Sequence, residues 1–583
     1  MTQFTAKSAR FVRLLPALLL PVVAACAQPG SVRTSAPDNR PVTVGIIAIN
    51  DFHGSLEPPR LSVPTPDGKG GTVPVPAGGA AWLASAVDTV RSGYSFSLTV
   101  SAGDLISASQ LSSSIYLDEP TIGVANRIGL DFNAVGNHEF DRGRAELLRM
   151  QNGGCEKHTP RQPCAVEPFK GAGFRFLAAS TLTESGQPLF PPYAIRSFGK
   201  GDREVKVAVI GLTLKDTPSL VSPGGIKGLR FMDEADTVNA LVPILKDQGA
   251  DAIVLLIHQG GAQDGSGNPN TCIGLTGEIR PILDRLDPRV DVVVSGHTHR
   301  SYVCNYGDYN PAKPILLTSA GNYGTQVTDI TLSIDPAAGR VVDKRAKNLI
   351  VQSVPYTSPR GTVANTDLVP RFAPRADVAA YVTTYTDAAK AFSQRPAGRL
   401  AGPASGRPLA MLIADAQLAA TANAGAQIAF MNPFGVRAAL VPGAGGALTY
   451  GDLYAAQPFN NTLVTQSLSG ADLKALLEMG FDGVGPEQAL IPSAGFTYTV
   501  DRSRPVGQRI VAMRFNGQPI DPNGTYRVTT NSFLAQGGDG FTVLTAQKVA
   551  QVGMPDLDAL EAWLQGKEPR AVPGEERVVG LEP

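Results

Sequence analysis

The chain has 583 residues with 51 Lys+Arg against 51 Asp+Glu, so its formal net charge at neutral pH is zero. That balance excludes the basic excess needed to grip a nucleic-acid backbone, and 43% hydrophobic with only 17% charged residues excludes a disordered chain. With 62 Gly and 46 Pro, the composition describes a well-buried, loop-rich globular protein long enough for more than one domain.

Lys7, Arg10 and Arg13 lie ahead of the apolar run 14–25, which is too short to span a bilayer and has the profile of a secretory signal. The stretch Val23-Ala24-Ala25-Cys26 resembles a bacterial lipoprotein signal, in which the cysteine is acylated and becomes the mature N-terminus. The alternative is cleavage after Ala25-Cys26-Ala27, which removes Cys26. The expected layout is a signal peptide over 1–26, a Ser/Pro/Asn spacer over 27–40, and a periplasmic or outer-membrane lipoprotein that meets the membrane only through its lipid.

Seven short apolar runs follow: VTVGIIAI, FSLTVSA, DFNAV, VKVAVIGL, DAIVLLI, VDVVVSG and PILLTSA. They read as buried strands, and the stretches AAWLASAVDTVRSG, DEADTVNALVPILKDQG and GEIRPILDRLD between them read as helices. The alternation predicts an α/β layer fold over 41–355. The Pro/Gly-rich segment Glu57 to Gly79 is expected to be a surface loop. An interdomain linker with a helix from Ala376 to Phe392 is expected over 356–395. Residues 396–583 have helices and strands enough for a separate α+β core.

Four cysteines remain after Cys26, and an exported chain with an even count is expected to pair them. Three pairings exist. Cys155–Cys164, within one short loop, together with Cys272–Cys304, is preferred.

Five of the six histidines fall in motifs directly after predicted strands: Asn50-Asp51-Phe52-His53-Gly54, Gly136-Asn137-His138-Glu139-Phe140-Asp141, Ile257-His258 and Gly296-His297-Thr298-His299, joined by Gly103-Asp104. Carboxylates, imidazoles and an amide at one sheet edge, with no thiolate, suit Mn²⁺, Zn²⁺ or Co²⁺ in an open site. His158, inside the Cys155–Cys164 loop, is expected at the surface.

In this order the motifs resemble the calcineurin-like metallophosphoesterases. NDFHG, GNHEFD and GHTH, with MNPFGVRAAL, QPFNNTLV and TNSFLAQGGDGF in the second half, resemble the 5′-nucleotidase branch. The resemblance implies a four-layer αββα sandwich joined by a linker helix to a smaller α+β substrate-binding domain. It implies one metal ion on Asp51, His53 and His299, a second on Asn137, His258 and His297, and Asp104 between them. Two such cations activate water and neutralise phosphoryl oxygens. His138 would face the phosphate, oriented and kept protonated by Asp141. Phe459 and Phe533 would sandwich a nucleobase, Asn461 and Asp539 would bind base and ribose, and Arg437 would face the phosphate. Where the family shows ESxLGNLxADA, this chain reads GRPLAMLIADA, leaving Arg399 as the candidate upstream arginine.

The implied activity is dimetal-dependent hydrolysis of extracytoplasmic nucleotides to nucleoside and phosphate, with UDP-sugars or nucleoside diphosphates as further substrates. A 2′,3′-cyclic-nucleotide phosphodiesterase/3′-nucleotidase and a non-catalytic nucleotide-binding surface lipoprotein are the alternatives. Neither a nucleic acid nor a protein partner is expected.

Overall fold

Two six-stranded sheets stack face to face in the first lobe. A computed structural model describes residues 40–581 except 160, 222, 265–267, 359–360, 460 and 484–486; the signal peptide, Cys26 and the 27–39 spacer lie outside the described residues. The first sheet runs in the order Arg340–Ile350, Gln326–Asp335, Val42–Ile49, Ser97–Ser101, Phe132–Ala134, Arg175–Leu177; the second runs Ser301–Asn305, Leu316–Ala320, Val292–Ser295, Ala252–His258, Val205–Thr213, Tyr193–Phe198.

Side-chain alternation explains the layering. Val44, Ile46 and Ala48 of the first strand face Val207, Val209, Val254 and Leu256 of the opposite sheet. Ile47 and Ile49 point the other way, onto Leu83 and Val87 of the helix Ala80–Arg91. On the far side, Ile210 and Leu255 pack on Val238 and Val242 of the helix Glu234–Asp247. Both faces of each sheet are therefore buried, which is why these strands read as continuous apolar runs, and the expected αββα sandwich is present.

Val42–Ile49, Ser97–Ser101, Phe132–Ala134 and Arg175–Leu177 run parallel in the first sheet, where Gln326–Asp335 is antiparallel to both its neighbours, and Val205–Thr213, Ala252–His258, Val292–Ser295 and Leu316–Ala320 run parallel in the second. Their carboxyl ends therefore open toward one rim, where open α/β sheets bind ligands. The edge strands Tyr193–Phe198 and Ser301–Asn305 pair antiparallel.

The segment 57–79 corrects one expectation. It contains an antiparallel hairpin of Leu61–Pro66 with Thr72–Ala77, turned by Asp67, whose carboxylate accepts from the Lys69 and Gly71 amides. Val63 and Val75 are buried beneath it, so apolar burial outweighs the local Pro/Gly composition.

The second lobe is α+β, as expected. A five-stranded sheet (Ile491–Pro492, Ile428–Met431, Thr525–Asn531, Thr462–Ser469, Lys548–Pro555) accompanies a four-stranded one (Gln518–Pro519, Ile510–Phe515, Phe496–Val500, Val578–Val579). The helix Gly406–Ala420 buries Leu409, Leu412 and Ile413 in a core with Phe430 and Leu560.

The helix Ala376–Ser393 connects the lobes. Val378 and Val382 are buried in the first lobe's core, Arg127 stacks 3.5 Å above the Tyr381 ring, and Phe392 meets Tyr450 edge-on at 5.2 Å. In return, Leu111 of the first lobe's short helix Leu111–Ser114 is buried in the second lobe's core. The disulfides Cys155–Cys164 and Cys272–Cys304 are both formed.

Candidate metal centre and substrate cleft

Each metal-ligand candidate stands at or just after the carboxyl end of a sheet strand, where the chain turns sharply. Asp51, His53, Asp104, His297 and His299 all have left-handed backbones, with φ of 49°, 47°, 50°, 70° and 57°. Non-glycine residues adopt this region at a cost and persist there where the surroundings hold them, as functional sites do. The neighbouring glycines make room: a Cβ on Gly136 would lie 2.2 Å from Asp104 Oδ1.

The turns bring two groups of donors together, Asp51 with His53 and His299, and Asp104 with His258 and His297. Asn137 joins the second through Oδ1, 3.1 Å from His297 Nδ1. Asp104 lies between the groups, its Oδ2 2.9 Å from His258 Nε2 and 3.7 Å from His53 Nε2.

Hydrogen bonds fix which imidazole nitrogens face inward. His53 Nδ1 donates to the Ser107 carbonyl at 2.9 Å and His258 Nδ1 to the Ala102 carbonyl at 2.8 Å, so each Nε2 is turned toward the cluster. His258 Nε2 is buried and faces Asp104 Oδ2, and His53 Nε2 faces His299 Nε2 at 3.1 Å. Lone pairs confronting lone pairs and carboxylates in a buried pocket repel unless a cation lies among them, so these residues fit divalent metal ions.

Burial lowers His53 to about 3 and His297 to about 4, which keeps both neutral, the ligating form. Burial also opposes the charge on His258, but Asp104 outweighs it and raises this imidazole to about 10. A bound cation would replace that proton as the partner of Asp104.

Residues outside the sequence reading complete the centre. Buried Glu139 accepts the amides of Asp104, Leu105 and Gly136 at 2.7–2.9 Å, tying two ligand loops together. Asn50 accepts from the Ala320 amide and donates to Asp51, and Asn322 contacts His299 Nδ1 at 3.2 Å. Glu139 and Asn50 stand inside the quoted motifs, so proximity in sequence was their only available signal. Nothing local marks Asn322.

His138 donates its amide to Asp104 Oδ1 at 2.9 Å, and its Nδ1 is 2.8 Å from Asp141 Oδ2. Burial disfavours its charge, but Asp141 and then Asp104 outweigh burial and raise its pKa. Asp141 does not cap the following helix, which begins at Arg144 after Gly143. The His138 ring stands 5.1 Å from His53 on one side and stacks on Phe459, across the cleft, at 5.9 Å.

Arg437 reaches the same place, with Nη2 3.4 Å from the Tyr323 hydroxyl and its guanidinium 5.7 Å from the Phe459 ring. Tyr323 in turn lies 5.7 Å from His53. Phe533 rests against Gly538, and Asp539 accepts from Asn432, which also accepts from Asn531. Burial raises Asp539 to about 6, against the pull of Asn432 and Arg437.

Two assignments look different in three dimensions. Asn461 is a brace: its Oδ1 accepts from Ser532 at 3.3 Å, and its side chain bonds the buried Asp556 carboxylate. Arg399 bonds backbone. Its guanidinium is spent on the carbonyls of Gly445 and Lys567. Arg407 instead lines a cavity of about 760 Å³ beside Arg437, walled by Ala410, Val436 and Ile491. Arg399 ends the short strand Pro396–Arg399, whereas Arg407 stands in the first turn of its helix.

Residues 45–301 match the calcineurin-like phosphoesterase family, and residues 382–546 match the 5′-nucleotidase C-terminal domain family. The chain belongs to the 5′-nucleotidase-type metallophosphoesterases, hydrolases whose phosphoesterase domain binds two divalent metal ions. It is similar to a Thermus thermophilus 5′-nucleotidase precursor of known structure, at 27% identity and a TM-score of 0.71, covering 92% of this chain and 99% of that one. It is 31% identical over 559 residues to the Bacillus subtilis protein named Endonuclease YhcR, covering 94% of this chain. The chain spans 41% of the length of that relative. A Listeria monocytogenes protein named Cell wall protein Lmo0130 is 26% identical over 583 residues, covering 92% of this chain and 69% of the relative.

Proposed function

We propose that the protein hydrolyses the phosphate ester of nucleoside 5′-monophosphates outside the cytoplasm, releasing nucleoside and phosphate. One observation carries this reading: His138, backed by Asp141, stands between the donor cluster and Phe459 of the second lobe. A group placed there touches both a phosphoryl held by metals and a base stacked on the aromatic ring.

Asp51, His53 and His299 would hold one ion and Asn137, His258 and His297 the other, with Asp104 shared. The ions, when bound, supply activated water and charge neutralisation at phosphorus. The protein's residues do the rest. His138 keeps Nδ1–H on Asp141 and directs Nε2–H toward the leaving ribose oxygen, giving it the proton it needs. Arg437 balances phosphate charge. Phe459 and Phe533 stack the base with tolerance for its identity, because every base has a π-face. Asp539, held by Asn432, would accept from ribose hydroxyls. Arg407 takes the position beside Arg437 that Arg399 leaves, so UDP-sugars and nucleoside diphosphates are candidate further substrates.

Export is supported by the residues ahead of 40, by the two disulfides and by the similarity to a named cell wall protein. No helix among the described residues is long and apolar enough to cross a membrane. We read residues 41–355 as the metal-binding domain, 356–395 as the connection and 396–583 as the substrate domain. Fractionation of cells expressing the full chain and its Cys26→Ala variant tests the lipid anchor: the variant leaves the membrane fraction if Cys26 is acylated.

The activity is tested by phosphate release with Mn²⁺, Zn²⁺ or Co²⁺ from AMP, UDP-glucose, a 2′,3′-cyclic nucleotide and p-nitrophenyl phosphate. AMP turnover that a chelator abolishes is the expected result. A cyclic nucleotide turned over faster than AMP reassigns the substrate, and no metal-dependent release from any of the four rejects the enzyme reading.

A further inference from the structure

A chain of buried polar groups runs from the metal cluster to the second lobe, and the chemistry above does not use it. It starts at His53, whose Nδ1 donates to the Ser107 carbonyl at 2.9 Å. The Ser107 amide donates to Asp118 Oδ2 at 3.0 Å, and Asp118 forms an ion pair with Arg142. Arg142 Nη2 continues to Ser114 Oγ at 3.0 Å, and that oxygen accepts from the hydroxyl of Tyr454, on the second lobe's helix Tyr450–Ala456. His53, Ser107, Asp118, Ser114 and Tyr454 are all buried.

The backbone along this path is strained. Ser107, Ala108, Leu117 and Asp118 all have left-handed φ, at 66°, 47°, 58° and 63°. Non-glycine residues stay there only where their surroundings over-determine them. Asp118 supplies that determination, with Oδ2 on Ser107 and Arg142 and Oδ1 accepting from Ser113 Oγ at 2.7 Å. If Asp118 let go, the Ser107 carbonyl would be free to turn and His53 would lose the acceptor that fixes its tautomer and ring plane.

We propose that the Asp118–Arg142 pair is a positioning relay for the metal ligand His53, and that Tyr454, through Ser114, makes this positioning depend on the docked second lobe. The substrate domain thus contributes to metal affinity as well as to base binding. The proposal rests on the reading of Asp51, His53 and His299 as one ion's ligands. Groups that orient a ligating histidine commonly account for 10- to 100-fold in metal affinity.

The test is Mn²⁺ titration of the metal-stripped full chain by calorimetry, alongside thermal melts, for wild type, His53→Ala, Tyr454→Phe, Arg142→Met and Arg142→Lys. Wild type takes up two ions, and the site that His53→Ala abolishes is the one to follow. Tyr454→Phe, which removes one hydroxyl, should weaken that site about three- to tenfold and leave the other within about twofold. Arg142→Met should weaken the same site by about 10- to 100-fold, with Arg142→Lys recovering part of the loss. Unchanged affinity in Tyr454→Phe, or equal weakening of both sites in step with a lower Tm, overturns the relay. If Arg142→Met does not fold, Tyr454→Phe decides alone. Fewer than two ions on wild type removes the ligand reading, and the relay falls with it; two ions on wild type with unaltered variants removes the relay only.

Discussion

The Phe459 ring lies nearly parallel to the His138 imidazole, with centroids 5.9 Å apart and planes inclined by 15°. One residue belongs to the first lobe and the other to the second, so the stack joins the lobes at the donor cluster. Phe459→Ala should raise KM for AMP by about 5- to 150-fold, the range of a lost base stack of about 1–3 kcal/mol. p-Nitrophenyl phosphate, which carries no nucleobase, should lose far less in kcat/KM, and equal losses on both substrates would reject the stacking role.

His138→Ala should lower kcat for AMP by about 10²- to 10⁴-fold while the protein still binds two metal ions, because His138 faces the cluster without belonging to it. Metal content by atomic emission beside the kinetics checks this. Asp141→Asn should lower kcat less, since it removes the carboxylate 2.8 Å from Nδ1 and leaves the imidazole in place. Loss of metal in either variant would place His138 among the ligands instead.

Gly538 carries the Phe533 ring directly against it: an added Cβ would stand 2.6 Å from three ring carbons. Its φ lies outside the left-handed range, so Gly538→Ala tests space alone. The methyl must push Phe533 aside at a cost of about 1–3 kcal/mol. KM for AMP should rise severalfold with p-nitrophenyl phosphate turnover kept, and a crystal structure of the variant should show the ring displaced.

Asp556 is a buried carboxylate raised to about 7 by burial, against the pull of the Leu557 amide and of Asn461. A carboxyl whose folded pKa exceeds its unfolded value of 3.8 contributes stability that is full below pH 4 and is lost as pH rises to 7. About three pKa units at about 1.4 kcal/mol each give a loss on the order of 4 kcal/mol across that window. Asp556→Asn should therefore gain stability relative to wild type between pH 4 and 7 in denaturant melts, with the difference constant above pH 7. A difference independent of pH would mean that Asp556 titrates normally.

Much of the first lobe was legible in sequence because its signals are local. The runs Val42–Ile49 and Ala252–His258 are apolar on both faces, and the ligands sit within a few residues of their ends. The hairpin at 61–77 was not legible, because what stabilises it is the burial of Val63 and Val75 and not its composition. The sequence left Arg399 as the candidate upstream arginine and gave Arg407 no role. Their directions come from a strand and a helix end whose packing no local pattern states.

The sequence by itself determined the kinds of donor and their order along the chain: carboxylate and imidazole after one strand, carboxylate after the next, then amide and imidazoles. A residue's type sets its ligand chemistry, and a strand end sets its exposure to a rim, without long-range information. Only the tertiary structure decided which atoms face inward and what braces them. Glu139 gathers three amides from two loops, Asn461 closes on Ser532 and Asp556, and Tyr454 reaches Ser114 across the lobes. These contacts join residues as far as 340 positions apart in the chain. Their energy comes from satisfying buried polar groups, and that requirement does not exist until the lobes have folded and excluded water.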